Sequence, residues 1–226
     1  MPVYELKYKE IIAELTPENV RLVAVSKIQS AGDIEQLYNL GQRDFGENYV
    51  QELIEKQSLL PGDIKWHFIG HLQTNKVKQI APFVHLIQGV DSMKLLTEIN
   101  KQAKKIDRKI HCLLQVHIAQ EETKFGLDEV ELDQIFSIIK NDPESLSNVF
   151  IDGLMGMASF SDDLEKVKGE MKMLKSLFNR YQSVSTSNCK METLSMGMSG
   201  DYKLAIQEGS NMVRIGSLLF GARPSK

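Results

Sequence analysis

The sequence of 226 residues contains only two cysteines, Cys112 and Cys189, and they lie far apart along the chain. It has no Cys-x-x-Cys motif and no set of cysteines and histidines spaced as ligands of a structural metal. This scarcity excludes a zinc ribbon and a Cys-x-x-Cys redox centre. We interpret both cysteines as buried, reduced thiols, since that is how isolated cysteines most often occur.

The sequence also lacks a long apolar run and an excess of charge. No apolar run approaches the roughly 18 residues that a membrane-spanning helix needs. Residues 1–7 lack the basic-then-apolar order of a signal peptide. The 27 basic and 30 acidic residues give a net charge of −3, which does not favour nucleic-acid binding. We therefore expect a cytoplasmic protein with neither a membrane nor a nucleic acid as its partner.

Several catalytic motifs are absent as well. The sequence has no His-Glu-x-x-His, no Gly-x-Ser-x-Gly, and no Gly-x-Gly-x-x-Gly after its first predicted strand. His67 and His71 are four residues apart, but they lie on a predicted strand and the turn after it rather than on one helix face. We therefore expect no metal site. We interpret His85, His111 and His117 as structural.

What the sequence does contain is a regular alternation of short apolar segments with segments of helical periodicity. The predicted strands are Arg21–Ser26, Arg43–Gly46, Lys65–Ile69, Val84–Ile87, Ile110–Ile118, Val149–Met155, Glu192–Ser195 and Met212–Ile215. The clearest predicted helices run from Ser92 to Lys104 and from Asp163 to Tyr181. Eight such units favour parallel strands in a closed (β/α)₈ TIM barrel, with an open doubly wound sheet as the alternative. No linker rich in proline, glycine or serine divides the chain, so we predict one domain over residues 1–226.

Lys27 follows directly on the first predicted strand. The carboxyl ends of the strands of a barrel form one mouth, and an amine sheltered there can attack a carbonyl to form a Schiff base. Other polar or small residues follow the remaining strands and are expected at the same mouth. They are Gly46-Glu47-Asn48, His67, Gly70 and His71, Lys124, Met155-Gly156-Met157, Ser195 to Gly200, and Gly216-Ser217.

Two segments near the end of the sequence are typical of an anion site. Glu208-Gly209-Ser210-Asn211 precedes the last predicted strand, and Ile215-Gly216-Ser217 leads out of it. Small residues let backbone N–H groups approach a phosphate, and Ser195, Ser199, Ser210 and Ser217 add hydroxyl donors. Each serine taken alone is more typical of a helix cap. Together with Lys27, the two segments predict a site for a phosphorylated aldehyde.

Arg214 interrupts the last apolar strand, Met212-Val213-Arg214-Ile215. A buried guanidinium needs a partner, so we expect either an internal salt bridge or a hydrogen bond to a ring nitrogen of a cofactor. In the second case a pyridine nitrogen would stay unprotonated, because arginine keeps its proton, and carbanion chemistry would be weak. Four methionines lie at two strand ends, and we expect most of them in the core and one or two against a flat ring. They are Met155, Met157, Met196 and Met198.

These segments, in this order, resemble the YggS/PROSC family of pyridoxal phosphate homeostasis proteins along nearly the whole chain. The matching segments are Val23 to Lys27, Phe45 to Glu52, Trp66 to Lys76, Lys124-Phe125-Gly126, Gly153-Leu154-Met155, Leu194 to Ser199 and Gly209 to Gly216. The resemblance implies a TIM barrel of the alanine racemase N-terminal-domain type with an extra N-terminal helix. It also implies pyridoxal 5′-phosphate (PLP) as the cofactor.

The resemblance assigns a role to particular residues. It implies that Lys27 forms the internal aldimine with PLP and that Arg214 lies beside the pyridine nitrogen. The residues implied to bind PLP are Lys27, Asn48, His71, Ser195, Met196, Ser199, Ser210, Asn211, Arg214 and Gly216. This sequence departs from the family pattern at Ile28-Gln29-Ser30, His117, Asn211 and Gln88-Gly89-Val90-Asp91. At the last of these segments we expect a surface function to differ.

The resemblance implies a cofactor-binding protein rather than an established enzyme. Racemisation needs an acid/base group on each face of PLP, and alanine racemase takes the second group from an additional domain. The sequence ends at Lys226, shortly after the eighth predicted strand, so we expect no such domain here. We therefore expect a monomeric carrier that holds PLP and delivers it to PLP-dependent apoenzymes. The alternatives are a weak racemase or transaminase-like enzyme with His71 or Tyr49 as its base, and an interaction module with a regulatory PLP site.

Overall fold

The computed structural model of the chain describes residues 3–119 and 125–221, so Lys124 lies outside the described residues. The strands are β1 (Arg21–Val25), β2 (Asp44–Glu47), β3 (Lys65–Phe68), β4 (Leu86–Val90), β5 (Ile110–Val116), β6 (Val149–Gly156), β7 (Ser185–Thr186), β8 (Cys189–Ser195) and β9 (Met212–Ile215). The helices are α1 (Glu5–Leu15), α2 (Ala31–Asn39), α3 (Val50–Leu59), α4 (Val77–Ile80), α5 (Met93–Lys105), α6 (Glu129–Asn141), α7 (Leu164–Tyr181), α8 (Tyr202–Gln207) and α9 (Ser217–Phe220). Short 3₁₀ turns lie at Thr74–Lys76 and Pro143–Leu146.

Eight of the strands form a closed parallel ring. β1 to β6 pair in chain order, β6 pairs with β8, β8 with β9, and β9 returns to β1. Ala24 in β1, for example, lies opposite Phe45 in β2 on one side and Ile215 in β9 on the other. The ring confirms the predicted (β/α)₈ barrel and excludes the open doubly wound sheet. The extra N-terminal helix is α1, which packs on the barrel through Tyr8, Ile11 and Leu15.

Several strand boundaries differ from the prediction, most of all in β4 and in β8, which begins at Cys189 rather than Glu192. β4 begins at Leu86 and continues to Val90, whereas the apolar pattern predicted Val84–Ile87. Gln88 and Gly89 lie beyond the predicted strand, but both are buried inside β4. The stretch between α7 and β8, where no strand was predicted, contains β7, which pairs antiparallel with the start of β8. None of these differences changes the order of strands around the barrel.

The long predicted helices are present because each combines an apolar face with a capping residue at its start. In α7 the buried positions Val167, Met171, Leu174, Leu177 and Phe178 fall on one face. Asp163 caps its start, since its carboxylate accepts hydrogen bonds from the backbone N–H groups of the first turn at 3.1 Å. In α5 the Ser92 hydroxyl accepts from the Leu95 N–H in the same way.

The apolar residues form two layers. The larger layer fills the space between strands and helices and takes alternate strand residues, among them Ala24, Phe45 and Val213. The smaller layer fills the barrel axis and consists of Val23, Leu86, Leu113, Met155 and Met212, with Met157 packed against it. Because strand side chains alternate between the two layers, each strand residue can be assigned to the axis or to the helices. The small inner layer leaves part of the axis to polar side chains.

Both cysteines are free and buried, as the sequence predicted. Burial raises the pKa of the Cys189 thiol to about 12, and it raises the pKa of Cys112 as well. Neither thiol is therefore a nucleophile at neutral pH, since the thiolate is the reactive form. Within residues 3–119 and 125–221, no helix combines the length and the apolar character needed to cross a membrane.

Candidate functional site

The carboxyl ends of the eight parallel strands converge on one rim of the barrel, which we call the mouth. Lys27 follows β1, Asn48 follows β2, His71 follows β3, Ser199 follows β8 and Gly216 follows β9. The mouth of a (β/α)₈ barrel is where its functional residues collect. The structure therefore brings together, from five strands, side chains that the sequence separates widely.

Lys27 is held in a turn directly after β1. Its neighbour Ser26 is fully buried and donates its hydroxyl to Oε1 of Glu47, the last residue of β2, at 2.6 Å. The alternation along β1 places Val23 in the inner layer and Ala24 in the outer layer. Lys27 itself is half-buried in the turn that follows β1. The residue therefore lies at the mouth, and the direction of its amine stays a prediction.

Arg214 projects into the barrel axis beneath the mouth. Its Nη1 donates to Ser195 Oγ at 2.6 Å, and its Nη2 donates to the Gly156 carbonyl at 2.9 Å. Burial lowers the pKa of the guanidinium to about 10, so it stays charged at neutral pH. Both hydrogen-bond partners are neutral, and no carboxylate of the described residues forms an ion pair with it. Within the described part of the chain, Arg214 therefore makes hydrogen bonds to neutral groups rather than an internal salt bridge.

A chain of hydrogen bonds leads from Arg214 along the barrel axis. Ser195 donates to Gln88 Oε1 at 2.7 Å, and Gln88 Nε2 reaches His67 Nδ1 at 2.9 Å. His67 Nε2 in turn lies 2.9 Å from Asp44 Oδ1. Burial lowers the pKa of His67 against the opposing pull of the Asp44 carboxylate, so the ring is neutral, with its proton on Nε2. The donors all point one way, from the arginine cation to the aspartate anion.

This chain changes three interpretations made from the sequence. Gln88 is fully buried in the axis, so this residue of the segment is not at the surface. The Ser195 hydroxyl accepts a hydrogen bond from Arg214 inside the barrel axis rather than facing a phosphate. His67 belongs to the axis, whereas His71 is exposed at the mouth.

His67 also lies close to two other candidate metal ligands. Single ligand atoms of Asp44, His67 and His85 lie within 4.8 Å of one another. The positive charges of Arg21 and Lys65 act on both Asp44 and His67, and they oppose a cation there. We therefore interpret Asp44 and His67 as the lower end of the hydrogen-bond chain.

Ser199 and Gly216 form the part of the mouth that is best suited to an anion. The Gly216 N–H donates a hydrogen bond to Ser199 Oγ at 3.2 Å, and the Ser199 hydroxyl keeps its own proton to donate. Gly197 keeps this loop close to α8 with φ +95°, and a Cβ there would lie 2.6 Å from the Ala205 Cβ. Glycine is required at that position because an L side chain rarely adopts this φ. The hydrogen bond between the two loops thus holds the Ser199 hydroxyl beside the end of β9.

Ser210 and Asn211 are not part of this arrangement. Asn211 precedes β9, and its carbonyl accepts from the N–H of Arg21, the first residue of β1. The length of β1, roughly 17 Å at about 3.3 Å per residue, separates that position from Lys27. Ser210 and Asn211 instead tie β8 to β9: Ser210 Oγ lies 2.8 Å from the Met196 carbonyl, and Asn211 Oδ1 accepts from the Leu194 N–H at 2.8 Å. Both side chains are thus occupied between β8 and β9 in this structure, and their binding of a phosphate stays a prediction.

Met196 lies on the side of β8 that faces away from the barrel axis. It is buried in the outer layer, because Ser195 before it faces the axis and strand side chains alternate. The methionines on the axis side are Met155, in the inner layer, and Met157, which packs against it at the end of β6. A flat ring at the mouth would therefore meet Met157 rather than Met196.

Asn48 and His71 differ in how they meet the mouth. Asn48 Oδ1 is buried and has no hydrogen-bond partner among the described residues, so it can accept from an incoming donor. His71 Nδ1 lies 2.7 Å from Asp91 Oδ2, and its ring stacks on Phe125 at 4.0 Å. His71 lines a cavity of about 320 Å³ between the loops after β3 and β4, together with Asp91 and Lys94. His71 therefore lies at the outer edge of the mouth, whereas Asn48 Oδ1 is buried within it.

The sequence carried a signal for the residues that the prediction missed. Gln88 and His67 stand inside otherwise apolar strands, Leu86-Ile87-Gln88 and Trp66-His67-Phe68. A polar residue in such a strand must be paired if it is buried. Their partners come from other strands, which the sequence alone does not pair.

The hydrogen-bond chain predicts that Gln88→Leu destabilises the protein. The substitution would leave the Ser195 hydroxyl and His67 Nδ1 without their buried partner, at an expected loss of about 2 kcal/mol or more in unfolding free energy. Urea unfolding of the variant measures this loss. Gln36→Leu, at an exposed position of α2, is the matched control and should change stability by less than about 0.5 kcal/mol. Equal stabilities of the two variants would show that the chain has no role in stability.

Comparison with known proteins extends over the whole barrel. The alanine racemase N-terminal domain family matches residues 7–224. The pyridoxal phosphate homeostasis protein of Pasteurella multocida is 38% identical over 213 residues, which cover 92% of this chain and 88% of that protein. The human protein of the same name is 39% identical over 214 residues, which cover 90% of this chain and 76% of that protein. The structure of PipY from Synechococcus elongatus with PLP bound has a TM-score of 0.85 and 32% identity, covering 95% of this chain and 98% of that one.

Proposed function

The chain belongs to the family of pyridoxal phosphate homeostasis proteins, and from that premise we propose that it binds PLP at the mouth and holds it for PLP-dependent apoenzymes. The observation that carries the proposal is the placement of the Lys27 amine and the buried, charged Arg214 at the same end of one barrel. An aldehyde with a ring nitrogen and a phosphate can engage an amine and a cation together. Bound PLP supplies a reactive aldehyde, which the protein would keep from reacting elsewhere.

The residues at the mouth fit such a ligand. Among the described residues, the guanidinium of Arg214 has neutral partners, so it can donate to a ring nitrogen. Asn48 Oδ1 is a buried acceptor with no partner among the described residues, and it can receive a hydroxyl donor. The Ser199 hydroxyl, which accepts from the Gly216 N–H, can donate its proton to a phosphate. Anion, ring nitrogen and hydroxyl would each meet a complementary group.

Lys27 would bind the aldehyde covalently. Its amine adds to the aldehyde carbon, water leaves with the aldehyde oxygen, and a C=N bond replaces the C=O bond. This step is reversible in water, which suits a protein that both stores and releases its ligand. Arg214, held by Ser195 and Gly156, would leave the ring nitrogen unprotonated, because arginine does not release its proton. The site would then hold PLP with little tendency to carbanion chemistry.

We propose storage and transfer rather than turnover because neither base considered from the sequence is well placed for catalysis. The side chains of His71 and Tyr49 are both exposed to solvent, at the turn after β3 and at the start of α3. Turnover is tested by incubating the PLP-loaded protein with L- and D-amino acids in deuterated water. Deuterium entering Cα at many turnovers per minute would favour a racemase or transaminase-like enzyme.

Apolar side chains around the mouth support delivery to a partner. Ile28, Tyr49, Phe125 and Phe160 are exposed in the segments after β1, β2, β5 and β6, and Phe160 is 97% exposed. Exposed apolar groups gathered on one rim are typical of a surface that a partner covers.

We also propose that the protein acts as a monomer in the cytoplasm, since the residues proposed to bind PLP come from one chain. Light scattering after size-exclusion chromatography tests the monomer.

Delivery predicts that PLP passes directly from this protein to an apoenzyme. The PLP-loaded protein is mixed with a PLP-free aminotransferase, while a phosphatase in excess destroys PLP released into solution. We expect the aminotransferase to gain activity under these conditions. Phe160→Ser should slow the gain without changing the visible spectrum of the loaded protein. If the phosphatase abolishes the gain, PLP travels through solution and the transfer part of the proposal is wrong.

A further inference from the structure

The turn that carries Lys27 contains an unusual backbone conformation. Ile28, the residue after Lys27, has φ +60°, in the left-handed region. An isoleucine rarely adopts this φ, because its branched Cβ crowds the backbone. Strained backbone at a functional site persists only where its surroundings impose it. The contacts that impose it here are therefore relevant to how Lys27 is presented.

Three charged side chains hold both neighbours of Lys27. Glu52 accepts a hydrogen bond from the Ile28 N–H. Lys56 Nζ lies 2.7 Å from the same carboxylate oxygen, 2.7 Å from the Ser26 carbonyl and 2.8 Å from Glu47 Oε1. We call Glu47, Glu52 and Lys56 the clamp. Because the clamp binds the backbone of residue 26 and of residue 28, it restrains the turn on both sides of Lys27.

The clamp is costly to bury. The Lys56 side chain is 6% exposed and the Glu47 side chain is 0% exposed. Two carboxylates share one ammonium, and Glu47 Oε2 is buried without a hydrogen-bond partner among the described residues. Burial raises the pKa of Glu47, against the opposing effects of Lys56 and Ser26. A buried ion pair is weak evidence for stability, and its best-supported role is to specify one conformation.

We propose that Glu52, supported by Lys56 and Glu47, is a positioning residue that fixes the turn at residues 26–28 and so directs the Lys27 amine into the mouth. The inference rests on the proposed function, in which Lys27 bonds to the aldehyde of PLP. Glu52 lies on α3, outside the axis, and acts only through the backbone of the turn. Its loss should let residue 28 relax to negative φ and turn the amine away from its position.

The alternative is that the clamp only joins α3 to the barrel. The two roles differ in their response to glycine at position 28, because glycine adopts positive φ without strain. If Glu52 is needed to impose that φ, Ile28→Gly should restore the reactivity lost on removal of Glu52. If the clamp only joins α3 to the barrel, Ile28→Gly should restore nothing.

The experiment compares Glu52→Ala, Ile28→Gly, the double variant and the wild type, with Glu55→Ala as the control at an exposed position of α3. In the ligand-free proteins, the rate of Lys27 acetylation by a small reagent and the hydrogen exchange of the Ile28 amide are measured by mass spectrometry. In the presence of PLP, the rate of covalent attachment is followed by absorbance. We expect Glu52→Ala to speed the exchange and to slow attachment by a factor of about 10 to 100. The double variant should regain most of the attachment rate, and Glu55→Ala should match the wild type.

Failure of this inference is distinct from failure of the proposed function. A wild-type protein that shows no attachment of PLP to Lys27 contradicts the proposed function and this inference with it. A wild type that attaches PLP normally, together with a Glu52→Ala variant that reacts at the same rate, overturns only the positioning role. So does a slow Glu52→Ala variant that Ile28→Gly leaves slow. An attachment rate of Glu52→Gln between those of the wild type and Glu52→Ala supports the role, because the amide oxygen is a weaker acceptor than the carboxylate.

Discussion

Lys27→Ala is expected to abolish the covalent adduct with PLP completely. The amine of Lys27 is the group at the end of β1 that can form a C=N bond with the aldehyde, and alanine offers none. The wild-type protein mixed with PLP and reduced with borohydride should carry one phosphopyridoxyl group on the peptide that contains Lys27. The variant should carry none there, and the absorbance band of the protonated C=N bond should disappear with it.

Lys27→Ala should still bind PLP without a covalent bond, although less tightly. Arg214 and Ser199 are unchanged by the substitution, and they would still meet the ring and the phosphate. Lys94→Ala is the control, since Lys94 lines the rim cavity beside His71 and should leave the adduct intact. A borohydride label on another lysine of the wild type, such as Lys124, would overturn the assignment. So would a wild type that stays colourless with PLP.

The fold was predictable because its signals are local and repeated. Each strand appears as a short apolar run, each long helix as an apolar face with a cap, and eight units leave few topologies. The errors lie where a polar or small residue is inside a strand. Gln88 and Gly89 interrupt the apolar run, so the second half of β4 was not predicted, although both residues are buried there. Boundaries of this kind depend on which neighbouring strand supplies a partner for the polar group, and that information is not local.

The candidate site was predictable where position along a strand decides the outcome. Residues that follow a parallel strand reach the mouth, which correctly brought Lys27 and Gly216 to one end. Asn211 precedes β9 and pairs with the start of β1, whereas the Ser210 hydroxyl lies against Met196 after β8. Alternation likewise assigns Met196 to the outer layer once Ser195 faces the axis. Composition alone does not distinguish these positions, whereas strand direction and alternation do.

The hydrogen-bond chain and the clamp could not have been predicted from local pattern. The chain joins residues of β2, β3, β4, β8 and β9 across the axis. The clamp joins β2 and α3 to the turn after β1. Both depend on the tilt and register of strands around a closed ring, so they appear only when the barrel is assembled.

Gly153→Ala is expected to be the most damaging small substitution in the barrel. Gly153 lies in β6, where the register with both β5 and β8 shifts. A Cβ at this position would overlap the carbonyl oxygen of Thr193 in β8. Because the overlap is with backbone, no change of rotamer relieves it, and the two strands would have to separate. We expect a loss of about 3 kcal/mol or more in unfolding free energy, measured by urea unfolding.

Gly169→Ala is the matched control for that substitution. Gly169 is exposed on α7, and nothing lies within 4 Å of the position that its Cβ would take. Alanine favours a helix over glycine by about 0.5–1 kcal/mol, so this variant should be more stable than the wild type. Opposite signs for the two glycines would show that β6 and β8 close the barrel by backbone contact. Equal effects would contradict the close approach of these strands.

The seam between β6 and β8 also connects the fold to the proposed site. Arg214 donates one hydrogen bond to Gly156 at the end of β6 and the other to Ser195 at the end of β8. A separation of the two strands would therefore withdraw at least one partner from the guanidinium. Any folded Gly153→Ala protein should attach PLP at Lys27 but hold it more weakly, with a faster loss of absorbance on dilution. Unchanged retention would show that Arg214 does not need both strands to meet its ligand.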